Sequence, residues 1–532
     1  MTKFLLPLVA IAFLISFFGL GSATLFDVDE AVFSQATKEM VESGDWITPT
    51  YNGENRYDKP ILFYWLMAVS YKVFGVNEFG ARFPSALSGF LLCLTLFFFV
   101  RHSHDAERAF YAALPLALSL YFLVYSHAAV TDMALTLFIA LALFSFFLSL
   151  ESRESAGRYI YGLYVFSALA FLTKGLIGIL FPFGIAVLYQ MATEGVKGMK
   201  RVFSASGIFL FLVLSAPWYI AQLGINGNEF IQQFFIKHHF KRYTGVISGH
   251  KGPLYYYIPV LIVGLMPWVA FLPGGIREAL KDRTRLRVTG NWVPERNSSL
   301  ITRCTSLDLF ALTWFSFIFL FFSLSTTKLP NYILPAVPAA VILISSGMAA
   351  RDKWRKYANA GIAVIMVVIG VAFLISEKYL VNFGISDTGW ILPVGLAALA
   401  VALICLYATV TGKTLYGLIS LMMVTFLLLL SVKALPLANR QLQGALHKYS
   451  LYARESLDRE EKIIVYGINH PSIVFYSDRR IVRVGNRDEL KPLLAPGRRL
   501  LLIAKAKEIT GLAQLGFHVL EEDGRYAILE RQ

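Results

Sequence analysis

Long apolar runs alternate with short polar connections along most of the chain, and each run approaches the ~20 residues that a membrane-spanning helix needs. About thirteen are legible, at 4–23, 83–100, 109–127, 132–150, 159–173, 176–191, 203–222, 254–274, 309–325, 332–349, 358–375, 389–411 and 415–436. This pattern predicts an α-helical polytopic membrane protein. The first run could instead be a secretory signal, with Lys3 as its basic region and Gly21-Ser22-Ala23 as its cleavage site. Its length and the acidic loop close behind it favour a span.

From Leu437 the period changes. Short apolar runs at Ile463–Tyr466, Ile481–Val484 and Leu500–Ala504 read as strands, and the stretches 471–477, 487–494 and 507–515 read as helices. With a hairpin around Glu522-Asp523-Gly524, they predict a small α/β domain of about 90 residues. The expected division is therefore a transmembrane domain, 1–436, and a C-terminal accessory domain, 437–532. Nothing in the second resembles a phosphate-gripping glycine loop, and no internal repeat stands out.

Composition agrees with the pattern: 56% of residues are hydrophobic and 16% charged, against roughly a quarter charged in soluble domains. Mean hydropathy is +0.58. The net charge of +14 raises a nucleic-acid reading. The lysines and arginines gather in short loops between spans, however, which is the signature of membrane orientation, so no nucleic-acid partner is expected. Cys93, Cys304 and Cys405 lie far apart in or near apolar runs, with no metal-type spacing, so neither a disulfide nor a zinc–thiolate site is expected.

The loop charges set an orientation. Arg101 and Arg108; Arg153 and Arg158; Lys197, Lys200 and Arg201; Arg277, Lys281, Arg283, Arg285 and Arg287; and Arg351, Lys353, Arg355 and Lys356 all fall in alternate loops. Connections at 127–132, 173–176 and 326–331 are nearly free of spare positive charge. A cytoplasmic N-terminus follows, with 24–60, 223–252 and the C-terminal domain outside.

Charge on that outer side is where chemistry is expected. Asp27, Asp29 and Glu30 open a segment whose apolar positions Val32, Phe33, Ala36 and Met40 predict an amphipathic helix over 29–43. Helix capping is the alternative role for these acids. Asp132 stands at the outer end of another span, where burial in lipid would be costly, and it too could serve as a cap. Lys59, Arg82, Lys174, Arg242 and Lys328 supply positive charge on the same face. Cations suit a phosphate leaving group, and a carboxylate suits the proton of an acceptor hydroxyl. The set fits transfer from a lipid phosphate donor.

The ordered motifs Asp29-Glu30, SGDWITPTYNGENRYDKPILFYW, NEFGARFPSALSG, TDMAL, TKG and KLPNYILP resemble the bacterial 4-amino-4-deoxy-L-arabinose lipid A transferases. These are related to the protein O-mannosyltransferases of the GT-C superfamily (glycosyltransferase families 39 and 83). The resemblance covers residues 1–340 and is looser beyond. It implies a GT-C fold in the bacterial inner membrane and an active site facing the periplasm. It also implies a polyprenyl (undecaprenyl) phosphate-linked sugar donor, and lipid A, lipopolysaccharide or another envelope glycan as acceptor, within membrane lipids.

By the same resemblance, Asp29 matches an essential first-loop aspartate, with Glu30 beside it, and Asp132 a second acidic position. Lys59 matches the lysine on the carrier phosphate, and Tyr332 a cavity tyrosine near it. Asp58 and His239 match positions near a candidate divalent metal, zinc or magnesium/manganese. The family has Arg-Tyr where this chain has Val32-Phe33, a departure that bears on the sugar and the acceptor. Protein O-glycosyl transfer and lipid-linked-sugar flipping are the competing functions. A flippase would place its charges near the membrane midplane, often at broken helices, and in paired halves, whereas here the charges cluster at outer helix ends, the first outer loop is long and no matching halves stand out.

Overall fold

The computed structural model describes residues 1–151, 156–234, 252–289, 300–350, 353–382, 388–411, 416–458, 460–494 and 499–531. Among them, nine helices are long and apolar enough to cross a membrane, and eleven if each of two bent pairs counts as one span. The expected thirteen is not reached on that measure. The first run forms the helix Thr2–Phe17, only 16 residues long, because Phe18 is extended and Gly19 turns with φ of 76°. The helix Ala156–Lys174 likewise falls outside the nine.

Two runs that read as single spans are broken. Ala106–Ala117 and Leu120–Ser126 meet at 60°, where Ser119 caps the second helix through its hydroxyl. Tyr257–Gly264 and Trp268–Lys281 meet at 114° across Pro267, which has no N–H to continue a helix. A third difference lies at the expected loop 223–252, whose first residues are helical. The helix beginning at Ala205 continues to Phe230, through a break at Gly227 with φ of 51°.

The chain forms two compact units, one of residues 1–18, 85–127 and 131–430, the other of 19–84, 128–130 and 431–532. The expected boundary at 436 falls inside helical chain that runs on to Ser456, and the first loop groups with the C-terminal residues.

The first unit is helical, with Trp268, Trp314, Phe146, Phe147 and Tyr189 fully buried in its core. Two buried indole N–H groups find carbonyls: Trp314 donates to Pro335 O at 2.9 Å and Trp268 to Leu118 O at 3.3 Å. Helices Lys353–Asn382 and Ile391–Thr411 approach through glycine. A Cβ at Gly370 would stand 2.9 Å from the carbonyl oxygen of Gly395.

The second unit combines the helix Asp29–Ser43, the short hairpin β1 (Thr50–Tyr51) and β2 (Glu54–Asn55), the helix Leu62–Phe74 and a five-stranded sheet. The sheet contains β3 (Ile463–Tyr466), β4 (Ile481–Val484), β5 (Leu500–Lys505), β6 (His518–Glu522) and β7 (Tyr526–Arg531), in the order β4-β3-β5-β7-β6. β3 lies parallel to β4 and β5, while β7 is antiparallel to β5 and β6. All four residues of β3 are buried, as expected of a parallel strand covered on both faces. One face packs on Leu446, Tyr449 and Ala453 of the helix Leu435–Ser456. The other packs on Leu490, Leu512 and Phe517.

Candidate active site

Three carboxylates within four positions meet three different fates. Asp27 accepts from the Ser472 backbone N–H at 2.8 Å, the Ser472 hydroxyl at 2.7 Å and Gln443 Nε2 at 2.7 Å. It also pairs with His470 Nδ1 at 2.9 Å, and the other ring nitrogen of His470 meets the Tyr526 hydroxyl at 3.1 Å. Glu30 is buried and accepts from Arg82 on both oxygens, at 2.7 and 2.9 Å. It also accepts from the backbone N–H groups of Ala129 at 2.8 Å and Phe26 at 2.7 Å.

Asp29 lies between them as the first residue of its helix, exposed. Among the described residues its carboxylate accepts no hydrogen bond, and the helix has no side-chain cap, so the capping role is not seen here. The predicted apolar face explains how the helix sits: Val32, Phe33, Ala36 and Met40 are all buried, and Gly44 ends the helix with φ of 73°.

Arg82 is a correction to the expected phosphate-binding set. Its remaining N–H groups donate to the carbonyls of Leu20 at 3.0 Å, Ala23 at 2.6 Å and Thr24 at 2.9 Å. With the two bonds to Glu30, all five guanidinium donors are used. Arg82 and Glu30 thus hold the turn that leads into the helix, and in this arrangement neither has a group left for substrate.

Lys59 and Asp58 lie in the same unit. Asp58 is ion-paired with Arg56 at 2.9 Å, and the half-buried Lys59 donates to the Asp58 carbonyl at 3.1 Å. Arg56 also donates to the Tyr64 hydroxyl at 3.1 Å and lies over the Phe33 ring, 5.6 Å from its centroid. Burial works against the Arg56 charge, but Tyr64 and Asp58, with Asp29 adding, hold the guanidinium above its ordinary pKa. Burial likewise pushes the Tyr64 phenol up, and the Asp58 and Asp29 charges add to that push. The open carboxylate of Asp29 therefore shares a field with Arg56, a residue the sequence reading did not single out. Where the resemblance implied Arg-Tyr this chain has Val32-Phe33, and the Arg56 guanidinium lies over the ring of Phe33.

In the first unit, Asp132 begins the helix Asp132–Glu151 and is 5% exposed. Its Oδ1 accepts from Lys174 Nζ at 2.6 Å and Asn331 Nδ2 at 3.0 Å. Lys174 ends its own helix and lies 5.7 Å from the centroid of the Tyr332 ring. Asp132, Lys174 and Tyr332 thus lie together within the first unit. Asn331, missed beforehand, was legible only as the neighbour of Tyr332 in KLPNYILP.

Lys328 does not share in this convergence. Its ammonium donates to the carbonyls of Phe322 at 3.2 Å, Ser323 at 2.8 Å and Ser325 at 2.8 Å. All three protons are taken up where the helix Leu300–Leu324 ends, a helix-capping role rather than the phosphate role expected of it. Arg242 and His239 lie outside the described residues. Among the described residues, no three His, Cys, Asp or Glu side chains gather to hold a metal ion, and the Asp58 carboxylate faces a guanidinium.

A family model for the dolichyl-phosphate-mannose-protein mannosyltransferases matches residues 58–220. An undecaprenyl phosphate-α-4-amino-4-deoxy-L-arabinose arabinosyl transferase of Pseudomonas fluorescens is 31% identical over 71% of this chain and 62% of its own length. A similarly named enzyme of Aeromonas hydrophila is 29% identical over 79% of this chain and 72% of that one. An uncharacterized protein of Aquifex aeolicus is 29% identical over 94% of this chain and 91% of its own. The crystal structure of ArnT from Cupriavidus metallidurans bound to undecaprenyl phosphate superposes with a TM-score of 0.79, covering 100% of this chain and 98% of that one. At 24% identity, that likeness bears on the fold.

Together with the apolar helices, these findings define a multi-pass membrane glycosyltransferase of the GT-C type. Within that class the chain is an aminoarabinose lipid A transferase-like enzyme, related to the protein O-mannosyltransferases.

Proposed function

We propose that the protein moves a sugar from an undecaprenyl phosphate donor to a lipid A-type acceptor on the periplasmic face of the bacterial inner membrane. The names of the curated relatives support the donor and the sugar class. Arginine and lysine clustering in alternate loops supports the orientation.

The observation that carries the reading is the contrast among three neighbouring acids. Asp27 and Glu30 are saturated with hydrogen bonds, and Asp29 alone presents an open, exposed carboxylate. In the reaction, an acceptor oxygen attacks the anomeric carbon, forming a new C–O bond as the bond to the carrier phosphate breaks. Asp29 receives the acceptor proton or orients the acceptor. Lys59 stabilises the charge on the departing polyprenyl phosphate. Within the first unit, Asp132, held by Lys174 and Asn331 beside Tyr332, forms a separate polar cluster.

Mass spectrometry of lipid A tests this directly. A strain lacking the native protein and carrying the wild-type chain should gain the sugar mass, and one carrying Asp29→Asn at matched level should not. Unchanged lipid A in both strains would remove lipid A as acceptor, and full modification with Asp29→Asn would remove Asp29 from catalysis. Reporters inserted at Asn55 and Arg525 should both read periplasmic, and a cytoplasmic reading at either would overturn the orientation.

A further inference from the structure

Within the second unit, the residues leading into Asp29 are fastened one after another to the C-terminal part of the chain. The Thr24 carbonyl accepts from Asn439 Nδ2 at 2.9 Å, and the Leu25 N–H donates to the Tyr476 hydroxyl at 2.7 Å. Tyr476 in turn donates to Glu78 at 2.9 Å. Asp27, with a side chain only 7% exposed, takes four partners: Gln443, His470 and both the hydroxyl and the backbone N–H of Ser472. Its own N–H lies 3.3 Å from Gln443 Oε1.

Four donors on one buried carboxylate are more than a surface loop needs for solubility. They fix the backbone at position 27, two residues before the acid that stays open. Glu30, locked by Arg82 and by the N–H groups of Ala129 and Phe26, fixes it one residue after. Asp29 is thus held between two anchored carboxylates, one of which draws all its side-chain partners from residues 443–472.

We propose that Asp27 is a positioning residue for the transfer reaction, and that the C-terminal α/β segment, through Gln443, His470 and Ser472, acts to aim the Asp29 carboxylate. This rests on the assignment of Asp29 to the chemistry. A reacting group displaced by about 1 Å can lose ~10²-fold in rate, so the aim of Asp29 is worth anchoring on both sides. His470 suits the task because its Nδ1 faces Asp27 while Tyr526 holds the opposite nitrogen, which sets the plane of the ring.

The test is a double-mutant cycle on the full-length protein in nanodiscs, with kcat and donor KM measured separately at matched folded fraction. Asp27→Asn sets donor-bearing Asn against the donors of Gln443 and His470, and should lower kcat ~10- to 100-fold with donor KM unchanged. His470→Gln and Ser472→Ala, which each leave most of the network in place, should lower kcat less. In an Asp29→Asn background, Asp27→Asn should change the residual rate by no more than about twofold, because the group it aims is already gone.

A wild-type kcat in Asp27→Asn would overturn the proposal, as would the same fold-loss in both backgrounds, which marks a purely structural role. The single variant Asp29→Asn reports separately on the catalytic assignment. If that variant transferred sugar at the full rate, the assignment itself would fail, and the positioning proposal with it.

Discussion

Asp29 and Asp132 are each the first residue of a helix, in different compact units, and they are held in opposite ways. Asp29 is exposed, with no hydrogen bond among the described residues, while Asp132 is buried and clamped by Lys174 and Asn331. An open carboxylate contributes little to stability and is available for chemistry. A buried, paired carboxylate cannot lose its partner without leaving an uncompensated charge, so its partner there bears first on stability.

Asp29→Asn gives the largest expected effect and the sharpest test of this contrast. Transfer should fall by ~10²–10⁴-fold, as for loss of a general base, while the thermal midpoint of the detergent-purified protein stays near wild type. A large loss of stability would mean that Asp29 is structural after all. Lys174→Met should behave in the reverse way, lowering stability by about 3–5 kcal/mol by stranding Asp132. Adding Asp132→Asn should recover most of that loss without restoring transfer. No recovery would break the account of a paired, buried acid.

A smaller effect is expected at Lys59. Losing one charge-assisted hydrogen bond costs about 1.5–3 kcal/mol, so Lys59→Ala should raise donor KM roughly tenfold or more with little change in stability. Normal donor use would exclude Lys59 from the phosphate site.

The smallest effect concerns the ion pair of Lys38 with Asp478. Burial alone would raise the Asp478 carboxyl, but the hydrogen bond and charge of Lys38, with Arg454 and Arg479 adding, hold it below its ordinary value. A carboxyl lowered in the folded state contributes stability above its unfolded pKa of about 3.9 and loses it as pH falls through the folded value. Asp478→Asn should therefore flatten acid destabilisation below about pH 4, by less than ~1 kcal/mol for such a partly exposed pair. An unaltered pH profile would remove the pair from the balance.

Short-range features were legible beforehand. The strands β3 and β4 fall on the residues their apolar runs predicted, and β5 extends one residue further, to Lys505. The helix over 29–43 buries the predicted face. Such features depend on periodicity, which a single sequence displays. The fate of each charge was not legible, because the partner that decides it lies far along the chain. Arg82 is 52 residues from Glu30, and Ser472 is 445 from Asp27. Lys328 looked like its neighbours until its three carbonyl partners were seen. Pro267 was a signal for the 114° break that the run 254–274 obscured.

The edge of the C-terminal sheet carries one more consequence. β4 is its outermost strand on one side, and the Asn52 side chain takes up both main-chain groups of Ile481, accepting from its N–H at 2.8 Å and donating to its carbonyl at 3.0 Å. One amide from the β1–β2 turn thus stands in for the next strand, which would otherwise be offered to any passing chain. The two segments are consequently a matched pair in space. A C-terminal segment expressed without the first loop would lack the asparagine that seals it and carry an adhesive border. Exchange among such enzymes is expected to succeed when the first loop and the sheet travel together.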